Sequence, residues 1–253
     1  MCGRFVSSHS AERIADFFGA SFESEAALPA NYNVAPTQDV YAVVADATGA
    51  REVQPFHWGL VPSWAKDVKI GSKLINARSE TIAEKPAFKG LLKKHRLIIP
   101  MDGFYEWQEV KAVKGTSVPL TKAGKPMKTP MFVHRADGQL TAVAGLGATW
   151  RDKAAGPDAS WLHSFTVITT AANDTMSAVH DRMPVLLAAG DWDEWLDPTN
   201  NDLAALQSML VPAPNDELVM HAVSTAVNNV RNTGPELMLP ALAAESAQLG
   251  LSL

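Results

Sequence analysis

Apolar residues recur at helical spacing over residues 10 to 19 (SAERIADFFG), with Ser10 placed to cap and Gly19 to stop. The run VYAVVA, 40 to 45, predicts a strand ended by the turn signal DATG. LIIPM (97 to 101) predicts a buried strand and GFYEWQEV (103 to 110) its antiparallel neighbour, joined by a tight Asp102-Gly103 turn. Further strands are expected at about 131–135, 141–147, 164–170 and 218–224, and helices at about 79–95, kinked near Pro86, 189–197 and 202–210. Pro62 argues against a long regular element through WGLVPSW, 58 to 64. The basic run Lys85, Lys89, Lys93, Lys94 and Arg96 reads first as a solvated helix face, with a phosphate surface as the alternative. Residues 111–130, rich in Lys, Gly and Pro, predict an exposed loop insertion; 236–253 predict a C-terminal tail beyond a core of about 1–235. Strands and helices do not alternate regularly, so the expected class is α+β, in a single domain over 1–253.

Composition narrows the function. The chain has 253 residues, 47% of them hydrophobic, enough for a substantial core. Its net charge of -5 argues against coating nucleic acid by bulk charge but permits a local basic groove. One cysteine excludes an internal disulfide and a multi-thiolate zinc site. The N-terminus MCGRFVSSHS has no apolar run, so no signal peptide is expected, and no stretch is apolar enough to span a membrane. A cytoplasmic protein is the expectation. Walker, HExxH and GxSxG motifs are absent, and the seven histidines show no metal-binding spacing, so neither a metal nor a cofactor is expected.

Four segments hold what a nucleophilic site needs. They are MCGRF with Cys2 and Arg4, INARSET with Asn76, Arg78 and Glu80, GFYEW with Glu106, and AVHDRMPVLL with His180, Asp181 and Arg182. Glu106 interrupts an apolar strand. Either it is buried and paired, because a lone buried carboxylate is costly, or alternation points it to solvent. Trp58, Trp64 and Trp107 are open between core packing and base stacking.

Together with YNVAP, WGLVPSW and the late VSTAVNNVRN, these segments resemble, in order from residue 1 to about 235, the SOS response-associated peptidase (SRAP) or abasic-site processing family. The resemblance implies mainly antiparallel sheets forming a barrel-like core with peripheral helices. It implies a monomer that recognises abasic sites in single-stranded DNA, nucleoid-associated when bound. It links such sites to Cys2 as a thiazolidine once Met1 is removed, shielding the lesion. Asn76, Glu106 and His180 would support catalysis. Arg4, Arg78 and Arg182 would contact phosphates, and Trp58 and Trp64 would stack. The family also carries a proposed autoproteolytic activity and a lyase-type activity. Where some relatives have a second aromatic after Trp64, this chain has Ala65. The chemistry is coherent: adjacent amine and thiol, with reference pKa values of about 8 and 8.5, trap an aldehyde as an imine and then close a five-membered ring. Competing readings are a cysteine-type amidohydrolase and a non-catalytic single-strand binder.

Overall fold

The computed structural model describes residues 2–23, 27–110, 120–121, 124–156 and 158–241. In chain order the elements are β1 (Phe5–Ser7), α1 (Ala11–Phe18), β2 (Asn31–Val34), β3 (Asp39–Ala45), β4 (Arg51–Trp58), β5 (Asn76–Arg78), α2 (Lys89–Lys94), β6 (Arg96–Met101) and β7 (Gly103–Glu109). They continue with β8 (Lys128–Arg135), β9 (Thr141–Trp150), β10 (Leu162–Ala171), α3 (Asp174–Ser177), β11 (Arg182–Pro184), α4 (Trp192–Leu196), α5 (Leu203–Ser208) and β12 (Leu218–Ala222).

Five strands close on themselves: β10 pairs β4, β4 pairs β3, β3 pairs β6, β6 pairs β9, and β9 returns to β10. Closure removes free edges from this part of the molecule. β11 and β5 extend from β10. A second sheet runs β12-β8-β7-β1-β2. The class is α+β with a barrel core, as expected. β9 is buried from Thr141 to Ala148, and its two glycines give Leu97 and Ile99 the space that side chains would fill.

One apolar cluster lies between barrel and sheet and includes Cys2, Phe5, Trp58, Phe104 and Phe165. A second packs α1, α2, α4 and α5 against the barrel's flank. In α1, Ala11, Ile14, Ala15 and Phe18 form the buried stripe; Ser10 caps it and Gly19, at φ 60°, ends it in the left-handed region.

The expected hairpin at Asp102-Gly103 is wrong. β6 pairs β3 and β9 in the barrel, whereas β7 pairs β1 and β8 in the other sheet. Asp102 marks the crossover, where its carboxylate accepts from the Ser8 N–H (2.9 Å) and Ser8 hydroxyl (2.6 Å). Gly103 supplies close approach in place of a turn: a Cβ there would sit 2.5 Å from the Val133 carbonyl oxygen. The expected helix over 79–95 is also broken, into a 3-10 turn at Ser79–Thr81 and the short α2. Arg96 leaves the solvated basic face altogether. It is 6% exposed and donates to the carbonyls of Trp195, Leu92 and Asp197. Within 111–130, residues 128–130 belong to β8; 111–119, 122 and 123 lie outside the described residues. The core extends past 235, since Leu237 is fully buried and Val223 bridges Pro240. Residues 242–253 lie outside the described residues. No described helix is long and apolar enough to cross a membrane.

Candidate active site around Cys2

The β1–β7 pairing delivers the N-terminus. Phe5 lies opposite Phe104, and the Tyr105 N–H donates to the Arg4 carbonyl at 2.9 Å, so the ladder continues toward residue 2. Cys2 is fully buried in the cluster between barrel and sheet. Its thiol lies 4.0 Å from the Arg4 carbonyl oxygen. Burial pushes the thiol pKa well above its usual range, and the nearby charge of Glu106 pushes it further. Glu106 itself is 5% exposed, which settles the alternation question in favour of the interior.

Asn76 reaches the same point from the barrel. β5 pairs β10 with Asn76 opposite Val167, and the Asn76 side-chain N–H donates to the Cys2 carbonyl at 2.8 Å. Asn76 Oδ1 is buried and accepts no hydrogen bond among the described residues. His180 follows α3, with its backbone N–H bound to the Met176 carbonyl at 2.9 Å. Met176 belongs to the Cys2 cluster. Gln108, two residues beyond Glu106 on β7, donates to the Ala178 carbonyl at 3.0 Å and ties this turn to the strand. His180 Nδ1 lies 2.8 Å from Asp181 Oδ1 and 3.0 Å from the Arg182 N–H. One nitrogen cannot accept from one partner and donate to the other at once. With the ring proton on Nε2 alone, Nδ1 accepts from the Arg182 N–H; with a proton on Nδ1 it donates to Asp181.

The arginines divide. Arg78 is exposed beside Asn76. Arg182 forks onto Glu80 at 2.6 and 3.0 Å and donates to the Thr169 carbonyl at 2.6 Å. That pairing holds the Glu80 carboxyl below its usual range. Arg4 donates to Asn33 Oδ1 (2.8 Å) and to the Val227 carbonyl (3.1 Å), with its guanidinium 5.9 Å from the Trp107 ring centroid. Two of the three expected phosphate contacts are therefore engaged with internal partners.

Trp58 is a correction. It has no exposed surface, donates to the Ile75 carbonyl at 3.0 Å, and packs on Phe5 and Phe165, so it cannot stack a base from solvent. Trp64 is 61% exposed. Trp107 is half-buried, with its indole N–H on Asn228 Oδ1 at 2.7 Å.

Asn33 received no role from the sequence. It is fully buried, and its amide faces the carbonyls of Val227, Asn229 and Asn232. One polar residue clamps Arg4 and the late VNNVRN segment together. Its signal was a polar side chain between Tyr32 and Val34 in a strand. Among the described residues no group of three His, Cys, Asp or Glu is placed to hold a metal ion.

A closed barrel and a flanking sheet bury Cys2 between them, with the Asn76 amide from one strand on its carbonyl and the Glu106 charge from another acting on its thiol. The chain belongs to the SOS response associated peptidase (SRAP) family, whose model matches residues 1–230. It is similar to the abasic site processing protein YoqW of Bacillus subtilis, 40% identical over 239 residues, which are 94% of this chain and 99% of that one. It is 31% identical over 248 residues to the abasic site processing protein YedK of Escherichia coli, covering 95% of this chain and 100% of that one. In fold it matches a solved protein of Bacteroides thetaiotaomicron with a TM-score of 0.79 at 24% identity, over 95% of this chain and 100% of that chain.

Proposed function

We propose that this protein recognises abasic sites in single-stranded DNA and joins them to Cys2 as a thiazolidine after Met1 is removed. The observation that carries the reading is the 2.8 Å hydrogen bond from Asn76 to the Cys2 carbonyl, which holds the backbone of residue 2 beside Glu106. A buried, raised-pKa thiol is protonated at neutral pH. The amine therefore attacks first: it adds to the aldehyde of the ring-opened sugar, and loss of water gives an imine. The thiol then adds across the C=N bond. Sulfur bonds to carbon, and the thiol proton reaches the nitrogen by way of Glu106. The buried Asn76 Oδ1 supplies an acceptor for the amine or a sugar hydroxyl. His180 exchanges a proton with the sugar oxygen during ring opening, and Arg78 holds an adjacent phosphate. β-Elimination is the branch open to the imine before the thiol closes on it.

Incubation with an abasic oligonucleotide, followed by denaturing electrophoresis and intact mass, tests this. The expected product has lost Met1 and gained the oligonucleotide minus one water. Cys2→Ala abolishes it. Glu106→Gln slows it with the folded circular dichroism spectrum intact. An adduct in Cys2→Ala, or a wild-type rate in Glu106→Gln, overturns the assignment. Peptide turnover without any DNA adduct supports an amidohydrolase in its place.

A further inference from the structure

We propose that Trp161, with Arg151 and Lys153 as phosphate partners, is a second contact for the same DNA strand at the end of the barrel, extending into one nucleobase platform the stacking that the family resemblance implies for Trp64. The proposal rests on the abasic-DNA reading above. Trp64 and Trp161 are 61% and 58% exposed and line one groove of about 350 Å³, together with Trp150, Arg151 and Lys153. Isolated exposed apolar residues need no explanation, but two indoles facing one groove do.

The platform is braced from below. The Trp150 indole N–H donates to the Ala65 carbonyl at 2.8 Å, and the Ala65 N–H donates to the Pro62 carbonyl at 2.8 Å, which fixes the turn carrying Trp64. The Arg151 guanidinium lies 4.7 Å from the Trp161 ring centroid and orients that ring. Beyond Trp64 a second groove is lined by Lys66, Lys69 and Lys73. Five cations thus surround two indoles in a chain of net charge -5. Two carboxylates sit among them, Asp67, 3.8 Å from the Lys69 ammonium, and Asp152, which leaves an excess of three positive charges over these residues. Lysine is depleted from the centres of protein–protein interfaces, whereas a cationic groove with aromatic faces is what a single strand requires.

Register connects this surface to the active site. On β10, Val167 lies opposite Asn76 and Leu162 opposite Trp150. That separation along one strand is about 17 Å at ~3.3 Å per residue. It corresponds to about five stacked nucleotides at ~3.4 Å each.

The experiment uses the full chain and fluorescein-labelled strands carrying one tetrahydrofuran abasic analogue, which cannot open to an aldehyde. Flanks are lengthened separately on the 5′ and 3′ sides, and anisotropy gives the affinity. Trp161→Ala is expected to weaken binding at least about five-fold once one flank, and only one, exceeds about four nucleotides, since base–aromatic stacking contributes roughly 1–3 kcal/mol. Trp161→Phe retains most of the affinity. Arg151→Ala/Lys153→Ala lowers the slope of log affinity against log salt by about 1.4, for two phosphate contacts on a single strand. Equal affinity of Trp161→Ala and wild type at every flank length, or the same loss at every length, overturns the platform. If Trp161 shows the flank-dependent effect but true abasic DNA gives no covalent band, only the covalent reading falls.

Discussion

Asn33→Ala asks whether a single buried amide holds the N-terminal and late segments of the chain together. The Asn33 amide offers two hydrogens to the carbonyls of Val227, Asn229 and Asn232, at 3.1, 3.1 and 2.9 Å. Three acceptors sharing two protons amount to two hydrogen bonds, each contributing about 1 kcal/mol net. Asn33 Oδ1 also accepts from Arg4 at 2.8 Å, and a bond to a charged donor contributes about 1.5–3 kcal/mol. The site is fully buried, so water replaces these bonds poorly. The expected loss is about 4 kcal/mol, a large share of the ~5–15 kcal/mol that stabilises an ordinary domain. For a chain of this size that corresponds to a fall in Tm of about 8–16 °C. Urea unfolding followed by circular dichroism should show a lower midpoint with an unchanged slope. Asn33→Asp keeps the acceptor for Arg4 but aims carboxylate oxygen at three carbonyls, so it should recover less than half of the loss. A fall under about 1 kcal/mol in Asn33→Ala, or full recovery in Asn33→Asp, refutes the clamp.

Two further outcomes follow from the same geometry. Glu106 raises the Cys2 thiol pKa by its charge, so Glu106→Gln lowers that pKa and enlarges the thiolate fraction at every pH below it. Alkylation of Cys2 by iodoacetamide, measured from pH 7 to 10, should therefore speed up in this variant while abasic-site crosslinking slows; movement of both rates in one direction contradicts the assigned roles. Gly59→Ala forces a side chain onto φ 129° and places Cβ 2.8 Å from the Gly71 carbonyl oxygen, whereas Gly49→Ala, at φ 89°, meets open space. Thermal melts should show a loss of about 2–4 kcal/mol for the first, from strain plus overpacking, and about 1–2 kcal/mol for the second.

Local patterns were sufficient wherever an element is stabilised by its own residues. α1 follows from its apolar spacing, its Ser10 cap and its Gly19 stop, and β3 from an apolar run ended by a turn. The 79–95 segment failed because the 3-10 turn at Ser79–Thr81 supports Glu80 for its ion pair with Arg182, a partner far along the chain. Arg96 failed for a related reason. A basic residue beside four lysines reads as solvated until the carbonyls at the end of α4 fold over it.

By itself the sequence determined the class, most element positions and the residues with the right chemistry: a sole cysteine at position 2, an amide at 76 and a carboxylate in an apolar strand at 106. These are readable because reactivity belongs to residue type and regular structure to local spacing. The tertiary structure alone decided which sheet each strand joins, since Asp102-Gly103 is compatible with either a hairpin or a crossover and only the Ser8 and Val133 contacts distinguish them. It also decided that Trp58 is core and Trp64 is surface, and that Arg4 and Arg182 have internal partners while Arg78 lies exposed. Burial and ion pairing depend on what other segments bring to a residue, and no local pattern carries that information.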